Sequence, residues 1–149
     1  MNNWKRSAVA LLMLVNAAAS AQSVEGRIDA IAKNPAAIHA GVGVTVPLGT
    51  YVRSGLVGAI GGSEHGISGR VDIINRFHLD PFRQHRWAPY AGGGLTARFD
   101  DNRSNRVYLL LIAGVDGPAS GGLTPSIEAG LGGGGRIGIV IRRTPAERR

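Results

Sequence analysis

Residues 67–79, ISGRVDIINRFHL, alternate with a period of two. Ile67, Gly69, Val71, Ile73, Phe77 and Leu79 fall on one side, and Ser68, Arg70, Asp72, Arg76 and His78 on the other. Successive side chains of a strand point to opposite faces, so this segment has one aliphatic face and one charged face. Two environments produce that alternation. A soluble barrel hides the aliphatics and shows the charges, whereas a membrane barrel turns the aliphatics to lipid and hides the charges.

The period recurs along the chain between turn residues and marks eight segments: 23–32, 36–46, 50–61, 67–79, 88–99, 106–116, 123–131 and 136–143. Lys33-Asn34-Pro35, Pro47-Leu48-Gly49, residues 63–66, 80–87, 100–105 and 117–122, and the glycines 132–135 separate them as turns or loops. Strands of about ten residues at close spacing predict an all-β fold, an eight-stranded antiparallel up-and-down (meander) barrel. Closure also removes the exposed edges on which β chains aggregate. The first segment, SVEGRIDAIA, also fits a short helix; seven strands would instead favour an open sandwich.

The N-terminus is expected to lie outside the fold. MNNWKR is basic, SAVALLMLVNAAA is apolar, and Ala19-Ser20-Ala21 has the A-x-A form of a cleavage signal. Residues 1–21 therefore read as a cleaved signal peptide, 22–143 as one barrel domain and 144–149 as a polar tail. The apolar run is short for a membrane-spanning helix. Beyond the signal, the formal charge of +7 falls to +5 on removing Lys5 and Arg6. One lysine, Lys33, then stands against fourteen arginines. A solvated surface usually mixes Lys with Glu, whereas Arg suits fixed, bidentate pairing in confined places. The basic residues are spread singly along the chain except in the C-terminal RRTPAERR, which reads as a short solvated tail, so a nucleic-acid partner is not expected. The chain has no cysteine, so burial and hydrogen bonding must hold it together.

Glycine placement bears on which face is inside. Gly41, Gly43, Gly55, Gly61, Gly92, Gly94, Gly114, Gly130, Gly132 and Gly138 lie on the charged faces; Gly26, Gly58, Gly69 and Gly93 lie on the aliphatic ones. Glycine weakens a strand and packs nothing, but inside a narrow barrel it makes room for long neighbours. The aliphatic faces also hold few aromatics, as suits a surface that only has to dissolve in hydrocarbon. In a membrane one Arg at the lipid midplane costs about 2–4 kcal/mol, so the arginines must face inward, where they need partners. The expected interior network is Glu25, Arg27, Asp29, Arg53, Arg70, Asp72, Arg76, Arg98, Arg106, Asp116, Glu128, Arg136 and Arg142, with His39, His78, Tyr90 and Tyr108 as interior polar groups. Eight strands leave about enough room for side chains to fill the lumen, so a packed, charge-laced interior is expected and not an open pore.

Other motifs carry little chemistry. Gly130-Leu131-Gly132-Gly133-Gly134-Gly135 matches G-x-G-x-x-G, but a strand follows where a dinucleotide site needs a helix. Ser63-Glu64-His65 has triad residue types at positions that cannot line up as nucleophile, base and orienter. Residues 100–105 are acidic, yet Asn105 and Leu111 stand where a calcium loop needs Gly and Glu. His39, His78 and Asp72 could hold a metal; hydrogen-bonded lumen histidines are the plainer reading. No catalytic set, metal or cofactor is expected.

The chain resembles the small outer-membrane β-barrel proteins of Gram-negative bacteria at APYAGGGLTARF, through Pro89-Tyr90, Gly92-Gly93-Gly94 and Arg98-Phe99. SIEAGLGGGGRIGIVIRR resembles their last two strands. The resemblance implies an eight-stranded barrel in the outer membrane and no catalytic residues. Two features depart from it. The last strand ends at Ile141-Arg142-Arg143 without a terminal aromatic, and the aromatic girdle is thin, with Phe82 and Trp87 as its best rim candidates. The function expected is a non-enzymatic envelope protein, structural or interacting through its loops, with outer-membrane lipid as partner and a monomeric state. The alternative is a soluble periplasmic or secreted barrel binding a small apolar ligand inside. A lipid-modifying enzyme is a distant third.

Overall fold

Eight strands follow one another in chain order: β1 (Ser23–Ala32), β2 (Ala37–Pro47), β3 (Val52–Ser63), β4 (Gly66–His78), β5 (Ala88–Asp100), β6 (Arg103–Asp116), β7 (Leu123–Leu131) and β8 (Gly135–Arg143). Each pairs antiparallel with the next, and β1 closes on β8, giving a closed meander barrel. The computed structural model describes residues 23–32, 36–63, 66–100 and 103–143. The expected signal peptide, the polar tail, and Glu64 and His65 lie outside the described residues.

The eight-stranded meander expected from the period is the fold observed, and SVEGRIDAIA is a strand whose burial alternates at every residue. One loop is shorter than expected. Residues 103–105 belong to β6 and Asp100 to β5, and Asp100 pairs with Arg103, so four of the six residues 100–105 are strand. Strand pairing uses backbone groups and tolerates polar side chains above the apolar wall; a register shift between Arg98 and Asp100 marks where the hairpin begins to project.

The aliphatic side chains form the outer wall. Val42, Ile60, Ile73, Val107, Leu109, Ile127 and Ile139 are all more than half exposed, and the charged residues face the lumen. Glycine follows the same division. A Cβ added at Gly138 would collide with the Asp29 carboxylate, at Gly94 with the Ile73 carbonyl, and at Gly114 with the Tyr90 ring. On the outer wall, Gly26 and Gly58 have nothing within 4 Å. The inward glycines are thus required by space, and the outward ones are not.

The two ends differ. At the near end, where β1 begins and β8 ends, connections run over 48–51, 79–87 and 117–122. At the far end they run over 33–36, 64–65, 101–102 and 132–134. The long near-end loop is ordered by its own polar groups. Asp80 accepts hydrogen bonds from the Gln84 and His85 backbone N–H groups at 3.0 and 2.9 Å, which hold its carboxyl below the usual aspartate range. Arg83, in the left-handed region at φ 51°, reaches across to donate to the Gly117 carbonyl at 3.2 Å.

The far mouth is slanted. β7 pairs with β6 only from Leu111 to Asp116, so the first half of β6 rises beyond β7 with β5 as its remaining partner. β4 reaches the same height, pairing Ser68 with Asp100. The low lip opposite is the β7–β8 turn, where Gly133 adopts φ 67°.

Candidate functional site

The charged part of the lumen comes mainly from the inward positions of β1, β4, β7 and β8. Period-two geometry sets Glu25, Arg27 and Asp29 in a column on β1, Arg70, Asp72 and Arg76 on β4, Glu128 on β7, and Arg136 and Arg142 on β8, all buried. Their side chains close a six-membered ring of alternating charge. Arg27 Nε meets Asp29 Oδ2 at 2.8 Å, Asp29 pairs with Arg70, and Arg70 Nε meets Asp72 Oδ2 at 3.1 Å. Asp72 pairs with Arg136 Nη1 at 2.7 Å, Arg136 Nη2 with Glu128 Oε1 at 3.3 Å, and Glu128 Oε1 with Arg27 Nη2 at 2.7 Å.

A second, four-membered ring shares Glu128. Arg76 bridges Glu25 at 3.1 Å and Glu128 at 3.2 Å, and Arg142 bridges the same two acids at 3.3 and 3.9 Å. Tyr90 donates its hydroxyl to Glu128 Oε2 at 3.0 Å, and the Arg142 guanidinium stands 5.1 Å from the Tyr90 ring centre. Asp116 completes the network through Arg142 and through Ser126, whose Oγ donates to Asp116 Oδ1 at 2.5 Å. Five arginines (Arg27, Arg70, Arg76, Arg136, Arg142) thus neutralise five acids (Glu25, Asp29, Asp72, Asp116, Glu128) in one connected array. Burying such charges is tolerable only with close pairing; within the array Arg70 Nη1, Arg76 Nη1, Arg136 Nε and Asp72 Oδ1 are left without a hydrogen-bond partner.

Not every expected interior residue sits within it. Arg106 is exposed, against expectation, because it lies on the part of β6 that rises beyond β7, where no strand opposite covers its inward face. Tyr108 is half-buried at the same rim, its ring against Gly133. Arg53 is half-buried at the near mouth, directly opposite Arg76 in the ladder. Arg98 is buried but stands apart from the rings: its hydrogen bond goes from Nη1 to the Gly133 carbonyl at 3.1 Å. The two histidines are not brought together. His39 Nε2 lies 2.7 Å from Ser68 Oγ toward the far end, and His78 Nδ1 lies 3.6 Å from Asp116 at the near end, its ring tilted against Tyr90. Neither therefore shares a metal-binding geometry with Asp72. Among the described residues no cluster of His, Asp and Glu could hold a metal ion.

Alternation alone missed an apolar patch inside the barrel. Val57, Ile74, Tyr90, Leu110 and Ile112 form a buried cluster on the β3–β6 side, facing the charged wall. The signal was present where alternation breaks into apolar pairs and runs: Leu56-Val57, Ile73-Ile74 and Leu109-Leu110-Leu111-Ile112. In such a run both faces are apolar, so one of them must point inward. The outer wall has the complementary exception: Ser54 Oγ donates to Asn75 Oδ1 at 2.7 Å, so these two outward polar groups satisfy each other.

These features define a closed eight-stranded barrel with an apolar outer wall and an ion-paired, occluded core. The fold is shared with solved transmembrane barrels. A de novo designed transmembrane β-barrel is 14% identical, with a TM-score of 0.63, over 83% of this chain and 94% of that one. The designed barrel TMB2.3, solved by NMR in solution, is 16% identical with a TM-score of 0.62, over 85% and 94%. The N-terminal β-barrel domain of Pseudomonas aeruginosa OprF is 13% identical with a TM-score of 0.56, over 80% and 96%. No protein-family model matches the sequence, and no curated protein matches it. The likeness is one of fold.

Proposed function

We propose that this chain is a non-enzymatic outer-membrane barrel with a sealed, charged interior and a structural or interaction role in the cell envelope. The observation that carries this reading is the largely apolar outer wall around an ion-paired core. A monomeric soluble protein rarely exposes a contiguous apolar patch beyond a few hundred Å², whereas here residues such as Val42, Leu109 and Ile139 are exposed on β2, β6 and β8 around the barrel. Hydrocarbon is the solvent in which that wall is stable and the inverted charges are not stranded.

Aromatics support a membrane boundary at the near end. Tyr51 stacks on Phe77 with centroids 5.8 Å apart, and Phe82 and Trp87 are exposed beside the same mouth, as in an interfacial girdle. The longer connections stand at this end, so contacts made through loops are assigned here. The alternative, a soluble barrel with an apolar ligand inside, draws no support from a lumen crossed by two charged rings.

The test is fractionation of cells expressing the full chain, with migration of unheated and boiled samples in detergent gels. Recovery with the outer membrane and a heat-dependent shift in mobility are expected. Recovery in the soluble periplasm without detergent overturns the reading.

A further inference from the structure

The core network closes electrically neutral, and Arg98 is left outside it. Its guanidinium is buried, its Nε has no hydrogen-bond partner, and the acceptor it reaches is a neutral backbone carbonyl. Among the described residues no acid pairs with it, and a buried cation without a paired counter-charge is strongly unfavourable. The neighbours make it worse. In the ladder Arg98 is directly opposite Arg70 on β4 and Arg106 on β6, three cations side by side on one inward face. Like charges directly opposite are destabilising. Arg70 is paired through Nε and Nη2, but its Nη1 is buried and unpartnered, as is Nδ1 of His39, whose other nitrogen bonds Ser68. Asp100, opposite Ser68 at the rim, is not among the acids these groups bond.

An outer cleft lies beside this spot. A cleft of about 350 Å³ is lined by Tyr108, Leu109, Leu111, Leu131 and the glycines 132–135. Leu109, Leu111 and Leu131 belong to the outer apolar wall, whereas Tyr108 faces the mouth and Gly133 carries the carbonyl that Arg98 holds. The cleft meets the arginine ladder through Gly133 alone, on the low lip of the barrel, and the arginines themselves do not line it.

We propose that the far mouth binds a phosphate group, with Arg98 as its principal ligand and Arg70, Arg106 and His39 beside it. Arg presents a planar fork suited to phosphate oxygens, and one bound phosphate supplies a paired counter-charge that no described acid gives Arg98. The phosphate can belong to a lipid, its chains lying along Leu109, Leu111 and Leu131, or be free in solution. The site stands on the interior geometry; its lipid arm alone rests on the membrane reading above.

The experiment uses the full chain folded in zwitterionic detergent without phosphate, titrated with inorganic phosphate and followed by ³¹P NMR, with chloride at matched ionic strength as control. In parallel, the chain is folded into phosphatidylcholine vesicles with and without phosphatidic acid, and retention of phosphatidic acid after extraction is measured. Arg98→Gln is expected to weaken binding by about ten- to hundredfold, the loss of a charge-assisted contact, while Arg53→Gln at the opposite mouth leaves it unchanged. The Arg98→Gln barrel is expected to fold, because it sheds an unpaired charge; if it does not, Arg106→Gln on the exposed rim replaces it, with a smaller loss expected. Binding of phosphate but not phosphatidic acid assigns a free anion, and retention of phosphatidic acid assigns a lipid. Absence of both, or equal binding by wild type, Arg98→Gln and Arg53→Gln, overturns the proposal. If inorganic phosphate binds but the barrel does not enter vesicles, the membrane reading fails and the site stands; if it enters vesicles and binds neither, the site fails and the membrane reading stands.

Discussion

Glu128 is the residue on which both charged rings turn, so its replacement by Gln is the sharpest test of the core. The carboxylate meets Arg27 at 2.7 Å, Arg76 at 3.2 Å, Arg136 at 3.3 Å and Arg142 at 3.9 Å, and accepts the Tyr90 hydroxyl at 3.0 Å. Gln keeps the shape. Its amide oxygen can accept two of these donors, but its NH₂ group donates and must face a guanidinium or the Tyr90 hydroxyl. The substitution leaves the array one positive charge in excess, in a place water does not reach. Removing one partner of a buried pair costs about 3–5 kcal/mol, roughly two to three and a half decades in the folding equilibrium.

The same arithmetic sets an internal control. Glu25 joins the four-membered ring but not the six-membered one, through Arg76, Arg142 and a longer contact to Arg27 at 3.5 Å. Glu25→Gln should therefore cost less than Glu128→Gln. The assay is reversible denaturant unfolding in lipid vesicles, read by Trp87, the one tryptophan among the described residues. The midpoint should fall with the slope unchanged. A loss below about 1 kcal/mol for Glu128→Gln, the level of an exposed surface pair, would refute the view that these rings are a tightly coupled core.

Four further outcomes follow from named contacts. Gly138→Ala drives a methyl into the Asp29 carboxylate and should lower stability by about 1–3 kcal/mol, whereas Gly58→Ala on the open wall should stay within about 0.5 kcal/mol; unfolding midpoints compare them. Ile139→Arg on the outer wall of β8 should cost about 2–4 kcal/mol in vesicles if it lies near the midplane, and a cost near zero would place that wall in water. Planar bilayers should show no large stable conductance, because the rings span the lumen; such channels would contradict the sealed core. The Asp80 carboxyl is held low by two backbone N–H donors, so the loop is ordered above the unfolded value of that group and loosens as pH falls through the lowered one. Amide protection at Gln84 and His85, taken relative to the intrinsic exchange rate at each pH, should fall in acid, and Asp80→Ala should show the lowered protection already at neutral pH.

Much of the fold was legible because period two is a local property. ISGRVDIINRFHL declares its two faces within one strand, and the strand starting at Ser23 keeps step with the rest. The alternation could not show what happens between strands. Whether Arg106 is covered depends on where β7 stops, which nothing near Arg106 in the sequence records. Arg98 has the same character as Arg70 in the alternating pattern, yet one joins the rings and the other does not, because only the three-dimensional register places Asp29 and Asp72 within reach of Arg70. Ile74 and Leu110 were readable in principle, since apolar runs force a hydrophobic residue inward.

The near absence of lysine gains its explanation from the rings. Arg27 contacts Asp29 through Nε and Nη2, Glu128 through Nη2 and Glu25 through Nη1, so one planar group links three acids. A lysine is a compact point charge without that fixed fork. Closing alternating rings across a lumen takes cations that bridge, and Arg76, Arg136 and Arg142 bridge in the same way. The rings also fix the register. Sliding one strand by a single residue would send its charged set to the outer wall and leave its former partners unpaired in the core. A slip of two residues keeps each side chain on its own face, and apolar packing alone discriminates poorly between such alignments on a wall of similar aliphatics; there the ion pairs favour one register.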